Sequence, residues 1–299
     1  MLDAPTWQAR AAAHRARMER WTLPHRERRR RGAAHPVLDF LFTYYSHRPA
    51  QLEQWHPGPG TALRDGDELL ATPGYVRRTD GAVALDPAAL PDRHRATAAF
   101  VRALLSATGS RAPRLGCFGL HEWAMVYRTA QDGGTPRHAA VPLRLGAAGT
   151  DAVVESLPVH CTHHDAYRFF TPAARPRNAV APTRADQVAL VQPGCLHATM
   201  DLYKWAYKLS PATPGELLAD CLALAADVRE LDMRASPYDL ADLGYPPVRI
   251  ETPAGRAEYA RAQAAFSRRA APLRDRLIDL CGALLGGPGT PRPSERGVG

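Results

Sequence analysis

The sequence has few cysteines, and they are widely spaced along the chain. The five are Cys117, Cys161, Cys195, Cys221 and Cys281, and none forms a Cys-x-x-Cys pair. A disulfide framework or an all-cysteine zinc site is therefore not expected. No apolar run approaches the ~20 residues that span a bilayer. The N-terminus has no apolar core of a secretory signal, so we expect no membrane partner and a cytoplasmic protein with reduced thiols.

Lysine is also scarce, occurring only as Lys204 and Lys208, so almost all of the positive charge is arginine. Residues 1–31 contain nine arginines against three acidic residues and hold most of the formal net charge of +8. An arginine-rich segment favours polyanions through counterion release. Residues 10–31 thus indicate a nucleic-acid partner, and the alternative is a solvated, frayed helix.

Apolar spacing predicts helices over residues 5–31, 92–110, 186–209, 213–234 and 252–285, the third with a break at Pro193-Gly194. Residues 61–90 contain polar, glycine and proline residues and favour loop with short extended pieces. Residues 116–170 could form strands or short helices. We predict a mainly α (α+β) fold, a single helical domain with a small strand-containing middle region. The predicted parts are a basic helical arm (1–34), a globular catalytic domain (35–285) and a disordered tail (286–299).

Two segments, Val159–Phe170 and Cys195–Leu209, combine ionisable side chains with aromatic residues. His197 and Asp201 are four residues apart and share one face of the predicted helix, and Lys204 continues that face. A His–Asp pair at this spacing can ligate a metal together, or the acid can orient the imidazole as a general base. The alternative is a surface hydrogen-bonded pair beside a solvated lysine.

The segment His160-x-x-His163-His164-Asp165 is the second candidate. If it is extended, His160 and His164 lie on one face and His163 and Asp165 on the other. These nitrogen and oxygen ligands would suit Zn, Fe or Mn, although no His-Glu-x-x-His signature is present. The predicted metal set has five members: His160, His163, His164, His197 and Asp201.

Glu122 lies among apolar residues, where burial would raise its pKa toward the range of a general acid, unless Arg128 or another arginine pairs with it. Asp232 ends a predicted helix, where the helix dipole disfavours an acid without a partner. Arg234 or a substrate could supply that partner. Arg168 and Phe169 precede a basic, proline-rich loop and could stack on a base. The alternative is that Phe169 packs in the hydrophobic core and Arg168 lies at the edge of that core.

Five segments between His35 and about Arg274 form longer motifs: HPVLDFLFTYYSHRPAQLEQWHPG, GLHEWAMVYR, CTHHDAYRFFTPAARPRN, QPGCLHATMDLYKWAYKLSP and LDMRASPYDL. They resemble a family of bacterial and plant proteins labelled 3-methyladenine DNA glycosylases. The resemblance implies that an alkylated base is flipped from duplex DNA and its N-glycosidic bond cleaved by carboxylate-activated water, with no cofactor. The helix-hairpin-helix of known glycosylases and its catalytic aspartate are missing from this sequence.

For that reaction the expected catalytic residues are Asp201, His197, Asp165 and Glu122. Substrate contacts are expected from Tyr44, Tyr45, Trp123, Arg168, Phe169, Tyr203, Lys204, Trp205, Asp232 and Arg234. Two other functions remain open. One is a metal-dependent enzyme acting on a small molecule, favoured by six histidines within residues 121–197. The other is a non-catalytic nucleic-acid-binding protein that uses the N-terminal arginines.

Overall fold

The computed structural model describes residues 1–132 and 138–286, and α-helices dominate it. In chain order they are α1 (Ala4–Arg30), α2 (Phe40–Thr43), α3 (Pro49–Leu52), α4 (Asp92–Gly109), α5 (Leu120–Ala124), α6 (Thr129–Asp132), α7 (Gly146–Ser156), α8 (His164–Tyr167), α9 (Gln187–Leu190), α10 (Leu196–Lys208), α11 (Gly215–Arg234) and α12 (Pro253–Leu284). The mainly α prediction is confirmed. The predicted disordered tail, apart from Gly286, lies outside the described residues.

A small antiparallel sheet consists of β1 (Ala62–Leu63), β2 (Tyr75–Arg77) and β3 (Val83–Leu85), in the order β1-β3-β2. The turn between β2 and β3 has Gly81 at φ 81°, a left-handed conformation that glycine adopts without steric cost. The sheet therefore lies in residues 61–90, not in residues 116–170. The described part of that middle region contains α5 to α8 and isolated bridges, including Val159 with Asn178.

Helix α10 occupies the centre of the core and packs against α4, α11 and α12. Ten of its thirteen residues are buried, among them His197, Thr199 and Asp201, so these polar side chains face protein rather than water. The predicted break before the helix is confirmed, since α9 ends at Leu190 and α10 begins at Leu196. This burial makes partners for the polar residues of α10 obligatory.

Helices α11 and α12 enclose the other side of α10. Both ends of the predicted α12 match the structure, and the Thr252 hydroxyl caps its start by accepting from the Gly255 backbone N–H. Arg229 and Asp232, one turn apart on α11, are 1% and 0% exposed. Buried charges of this kind need direct ionic partners, and the two residues place such a group beside α10.

Helix α1 belongs to the core, so the predicted boundary between an arm (1–34) and a globular domain does not hold. Trp7 and Met18 lie in the same hydrophobic cluster as α10 and α11. Several of its arginines are paired with acids of the body, as in Arg10 with Glu216 and Arg28 with Asp39. The helix is thus neither frayed nor uniformly available to a polyanion.

Among the described residues, none of the helices has the length and apolar character that crossing a membrane requires.

Candidate functional site

Asp201 on α10 is the best-connected carboxylate of the site. Its Oδ1 accepts from the Tyr45 hydroxyl at 3.1 Å, and its Oδ2 lies 3.1 Å from His163 Nε2 and 3.4 Å from Lys204 Nζ. Burial alone would raise the pKa of Asp201, but the Lys204 ammonium and the His163 hydrogen bond outweigh it, and the pKa falls below its usual value. Asp201 is therefore a fixed anion with both oxygens occupied.

Lys204 joins this buried carboxylate to the edge of the protein. Its Nζ donates to Asp165 Oδ2 at 2.9 Å, and the exposed Arg168 approaches the other Asp165 oxygen at 3.8 Å. Burial opposes the charged ammonium, but Asp201 and Asp165 outweigh that effect and raise the pKa of Lys204. Lys204 thus remains a cation and balances two carboxylates rather than acting as a nucleophile.

Three histidines extend the series of polar contacts inward from Asp201. The His163 ring stacks on His197 with centroids 5.1 Å apart, and His197 meets the ring of His121 at 4.4 Å in a T-shaped arrangement. Nδ1 of His163 is buried without a hydrogen-bond partner among the described residues. Burial, followed by the charges of His121 and His163, lowers the pKa of His197 well below its ordinary value. The central imidazole is therefore neutral and can act as an acceptor.

Beyond His121, this series of polar contacts ends in a charged group centred on Arg229. Its Nη1 donates to Glu122 Oε1 at 2.8 Å and to Asp232 Oδ2 at 3.0 Å, and the guanidinium lies 3.9 Å over the ring of Phe40. Burial would raise the pKa of Asp232, but His121 and Arg229 lower it. The same carboxylate raises the pKa of His121 against the effect of burial.

His121, His197 and Asp232 are close enough to hold one metal ion. One potential ligand atom from each lies within 4.8 Å of the others, and all three residues are buried. His121 Nε2 and Asp232 Oδ1 form an ion pair at 2.9 Å. Two imidazoles and a carboxylate are donors that Zn²⁺ accepts.

A small cavity of about 20 Å³ adjoins this group, with His121 and His197 in its wall. The volume corresponds to a single water molecule. The rest of the wall is formed by Cys117, Leu120, Val159, His160, Cys161, Thr162, Gln192, Cys195 and Leu196. Burial raises the pKa of the Cys117, Cys161 and Cys195 thiols, Cys161 to about 12, so these cysteines are neutral thiols.

The buried network contains more negative than positive side chains. Its four carboxylates and two cations are Asp165, Asp201, Asp232, Glu122, Lys204 and Arg229. When the exposed Arg168 is counted with Asp165, one negative charge is left over, and the raised pKa of His121 allows that imidazole to balance it with a proton when no cation is bound. Such an excess is costly unless a proton or a cation compensates it.

Several predicted site residues meet in this network: His163, His197, Asp201, Asp165, Lys204, Tyr45, Glu122 and Asp232. Tyr44 lies beside it, with its hydroxyl 3.5 Å from the Asp165 carbonyl. Other members lie elsewhere. Trp123 is a core residue that donates to the Ala235 carbonyl, and Arg234 donates to the Pro246 carbonyl. Phe169, Tyr203 and Trp205 pack against neighbouring rings or cations without contacting the His121–His197–Asp232 group.

The predicted metal set needs correction in most of its members. Only His197 belongs to the cluster, because residues 164–167 are helical and strand alternation does not apply to them. His164 Nδ1 contacts the Pro182 carbonyl, whereas His163 and Asp201 bond to each other. His160 lies in the cavity wall and contacts Arg114 instead.

Sequence reasoning missed the role of Arg229 and the ligand set built on His121 and Asp232. The partner of Glu122 is Arg229, while Arg128 pairs with Glu155. The i, i+3 spacing of Arg229 and Asp232 on a helix was the one local signal that could have indicated their ion pair. The approach of α5 to α11 could not be read from spacing.

No protein family, no curated protein and no solved structure matches the chain in comparisons with known proteins.

Proposed function

We propose that this protein is a metal-dependent enzyme that hydrolyses a small molecule. His121, His197 and Asp232 would hold one divalent cation, and this ligand set suits zinc best. One observation carries the proposal: two imidazoles and a carboxylate, all buried, place potential ligand atoms within 4.8 Å of one another. The carboxylates that surround this point favour a cation there. Catalytic zinc sites likewise have three protein ligands and one position open to water.

The residues around the three proposed ligands have distinct roles. A divalent cation held by His121, His197 and Asp232 would supply Lewis acidity toward the adjoining cavity, which has room for one water. Arg229 occupies Asp232 Oδ2 and leaves Oδ1 toward His121, so the carboxylate keeps a defined orientation. An outer-shell partner that orients a ligand in this way also tunes the affinity of a metal site.

The geometry gives less support to carboxylate activation of water by Asp201. Both of its oxygens are engaged by Tyr45, His163 and Lys204, so a water could contact Asp201 only by displacing one of these groups. The removal of an alkylated base implied by the resemblance remains a prediction, as do the duplex DNA partner and the cytoplasmic location. An assay for base release from methylated duplex DNA in the presence of a chelator tests that prediction, because the glycosylase reaction needs no metal and its base release would persist.

Metal analysis of the purified full-length chain tests the proposal. The protein is stripped with a chelator and titrated with Zn²⁺ by calorimetry, and we expect one ion per chain. His197→Gln and Asp232→Asn should each weaken Zn²⁺ binding by about tenfold or more, because each removes one ligand. Circular dichroism checks that both variants are folded.

His164→Gln is the matched control, since His164 belongs to the predicted histidine segment but contacts the Pro182 carbonyl instead of the cluster. It should bind Zn²⁺ as the parent does. A parent chain that binds no divalent cation, or a His197→Gln variant with unchanged affinity, would contradict the proposal.

A further inference from the structure

Arg114 lies at the outer edge of the cavity that adjoins the proposed metal centre. Its Nη1 is 3.0 Å from Nε2 of His160, and His160 lines the cavity together with His121 and His197. Because a guanidinium has only donors, the Nε2 of His160 accepts this hydrogen bond. Arg114 is exposed and His160 is half-buried, so this edge of the cavity faces solvent.

The backbone holds Arg114 in place at this edge. The Arg114 N–H donates to Gln192 Oε1 at 2.9 Å, and the same oxygen accepts from the Gly194 N–H at 2.7 Å. A Cβ at Gly194 would lie 2.5 Å from the Arg114 carbonyl oxygen, so only glycine allows this close approach. The side chain of Arg114 is therefore presented from a fixed backbone rather than from a free loop.

Arg114 also has no acidic partner. Among residues 1–132 and 138–286, no carboxylate oxygen lies within 4.0 Å of its guanidinium, whereas Arg229 and Arg28 are both paired with acids. Arg114 therefore places positive charge without an acidic partner beside the cavity.

We propose that Arg114 binds an oxyanion of the substrate, a carboxylate or a phosphate, while the bond to be hydrolysed lies toward the cavity. The inference rests on the proposed function, because it identifies the substrate class of the same centre. The guanidinium fork matches the geometry of both anions. Since the cavity is the size of one water, the anionic group stays outside it, on Arg114.

Calorimetry on the full-length chain tests this site with two probes, inorganic phosphate and acetate. Each probe is titrated into chelator-stripped protein and into protein incubated with Zn²⁺. We expect at least one probe to bind, and Arg114→Gln to weaken its affinity by about tenfold or more, the loss expected for a charge-assisted hydrogen bond. Binding of phosphate alone assigns a phosphate group, and binding of acetate alone assigns a carboxylate.

Arg268→Gln is the matched control, an exposed arginine of α12 with no carboxylate within 4.0 Å among the described residues. It should bind both probes as the parent does, and Arg114→Gln should still bind one Zn²⁺ ion. If neither probe binds, or if Arg114→Gln binds them like the parent, the anion site is overturned while the metal proposal stands. If anion binding depends on Arg114 but no metal binds, the metal proposal fails and the anion site stands.

Discussion

Nε2 of His163 lies 3.1 Å from Oδ2 of Asp201, and this contact joins two segments 38 residues apart in the sequence. The same carboxylate oxygen contacts Lys204, and the His163 ring stacks on His197. Asp201 therefore links the half-buried ion pair of Lys204 and Asp165 to the inner histidines. This position makes it the residue whose replacement affects most of the network at once.

Asp201→Asn is expected to destabilise the protein by about 3 kcal/mol, because loss of one charge from a buried pair leaves its partner uncompensated. Lys204 would keep only the half-buried Asp165. Urea unfolding at neutral pH measures the change. Asp242→Asn, at an exposed position with no ion pair within 4.0 Å among the described residues, is the control and should differ from the parent by less than about 0.5 kcal/mol. Equal midpoints for the two variants would contradict the prediction.

The stability of the parent should decrease on acidification below about pH 4. The pKa of Asp201 is lower in the folded state, and an unfolded aspartate has a pKa of about 3.9. The unfolded chain therefore binds a proton that the folded chain does not. The stabilisation is present above about pH 4 and is lost as the pH falls toward the folded pKa.

Melting curves at a series of pH values measure this loss. In Asp201→Asn the decrease in melting temperature between about pH 4 and pH 2 should be smaller, because the variant lacks the titrating group. An unchanged decrease would show that other carboxylates account for it.

His47→Phe should maintain or increase stability. His47 is 4% exposed, both of its ring nitrogens lack hydrogen-bond partners among the described residues, and its ring stacks on Tyr207 at 3.7 Å. Replacing a buried polar ring without partners by an apolar ring of similar shape removes a desolvation cost. Urea unfolding at pH 7 checks this, and a loss of more than about 1 kcal/mol would contradict it.

The advantage of His47→Phe should grow in acid. Burial, followed by the charges of Lys208 and Lys204, lowers the pKa of His47 to about 3. Between about pH 6.5 and pH 3 the unfolded imidazole is protonated and the folded one is not, so the parent loses stability as the pH falls. A difference between variant and parent that stays constant over this range would be inconsistent with a buried neutral His47.

Deletion of residues 1–31 should abolish cooperative unfolding, because it removes Trp7 and Met18 from the main hydrophobic cluster. Such a truncation cannot test DNA binding without also damaging the fold. Thermal unfolding followed by circular dichroism measures the effect. A truncated chain with the melting temperature of the parent would contradict the placement of α1 in the core.

The DNA prediction is tested better by the triple variant Arg15→Gln, Arg20→Gln, Arg29→Gln. All three arginines are exposed, and none forms an ion pair among the described residues. If α1 contacts duplex DNA, the variant should bind more weakly, with a salt dependence reduced by about 0.9 for each lost phosphate contact. Binding measured at several salt concentrations gives this slope. An unchanged slope would exclude these arginines as phosphate contacts.

The sequence predicted the long helices because their boundaries depend on local chemistry. Proline and glycine mark the gap before α10, and Thr252-Pro253 opens α12 with a hydroxyl cap. Short extended pieces were expected within residues 61–90, where the sheet lies, but their bounds were not predicted because strands of two or three residues are too short to show alternation. The density of polar residues in α10 indicated a site, but its ligand set was not evident.

The ligand set could not be predicted, because its contacts are distant along the chain. Arg229 and Glu122 are 107 residues apart, and no periodicity relates α5 to α11. The sequence also suggested Arg234 as the partner of Asp232, since it is close along the chain. Asp232 instead lies on the face of α11 that carries Arg229 and contacts His121. Tertiary packing therefore decided which of several plausible acids and imidazoles came together.

The burial of the His121–His197–Asp232 group has a kinetic consequence. All three residues are at most 5% exposed, and the adjoining cavity of about 20 Å³ is too small for a chelator, so a chelator can take an ion held there only when the surrounding segments open transiently. The rate of metal removal would then equal the rate of this local opening. It would not depend on the concentration or the affinity of the competing chelator. The residence time of the bound ion, rather than its equilibrium affinity, would decide which cation the His121–His197–Asp232 group retains.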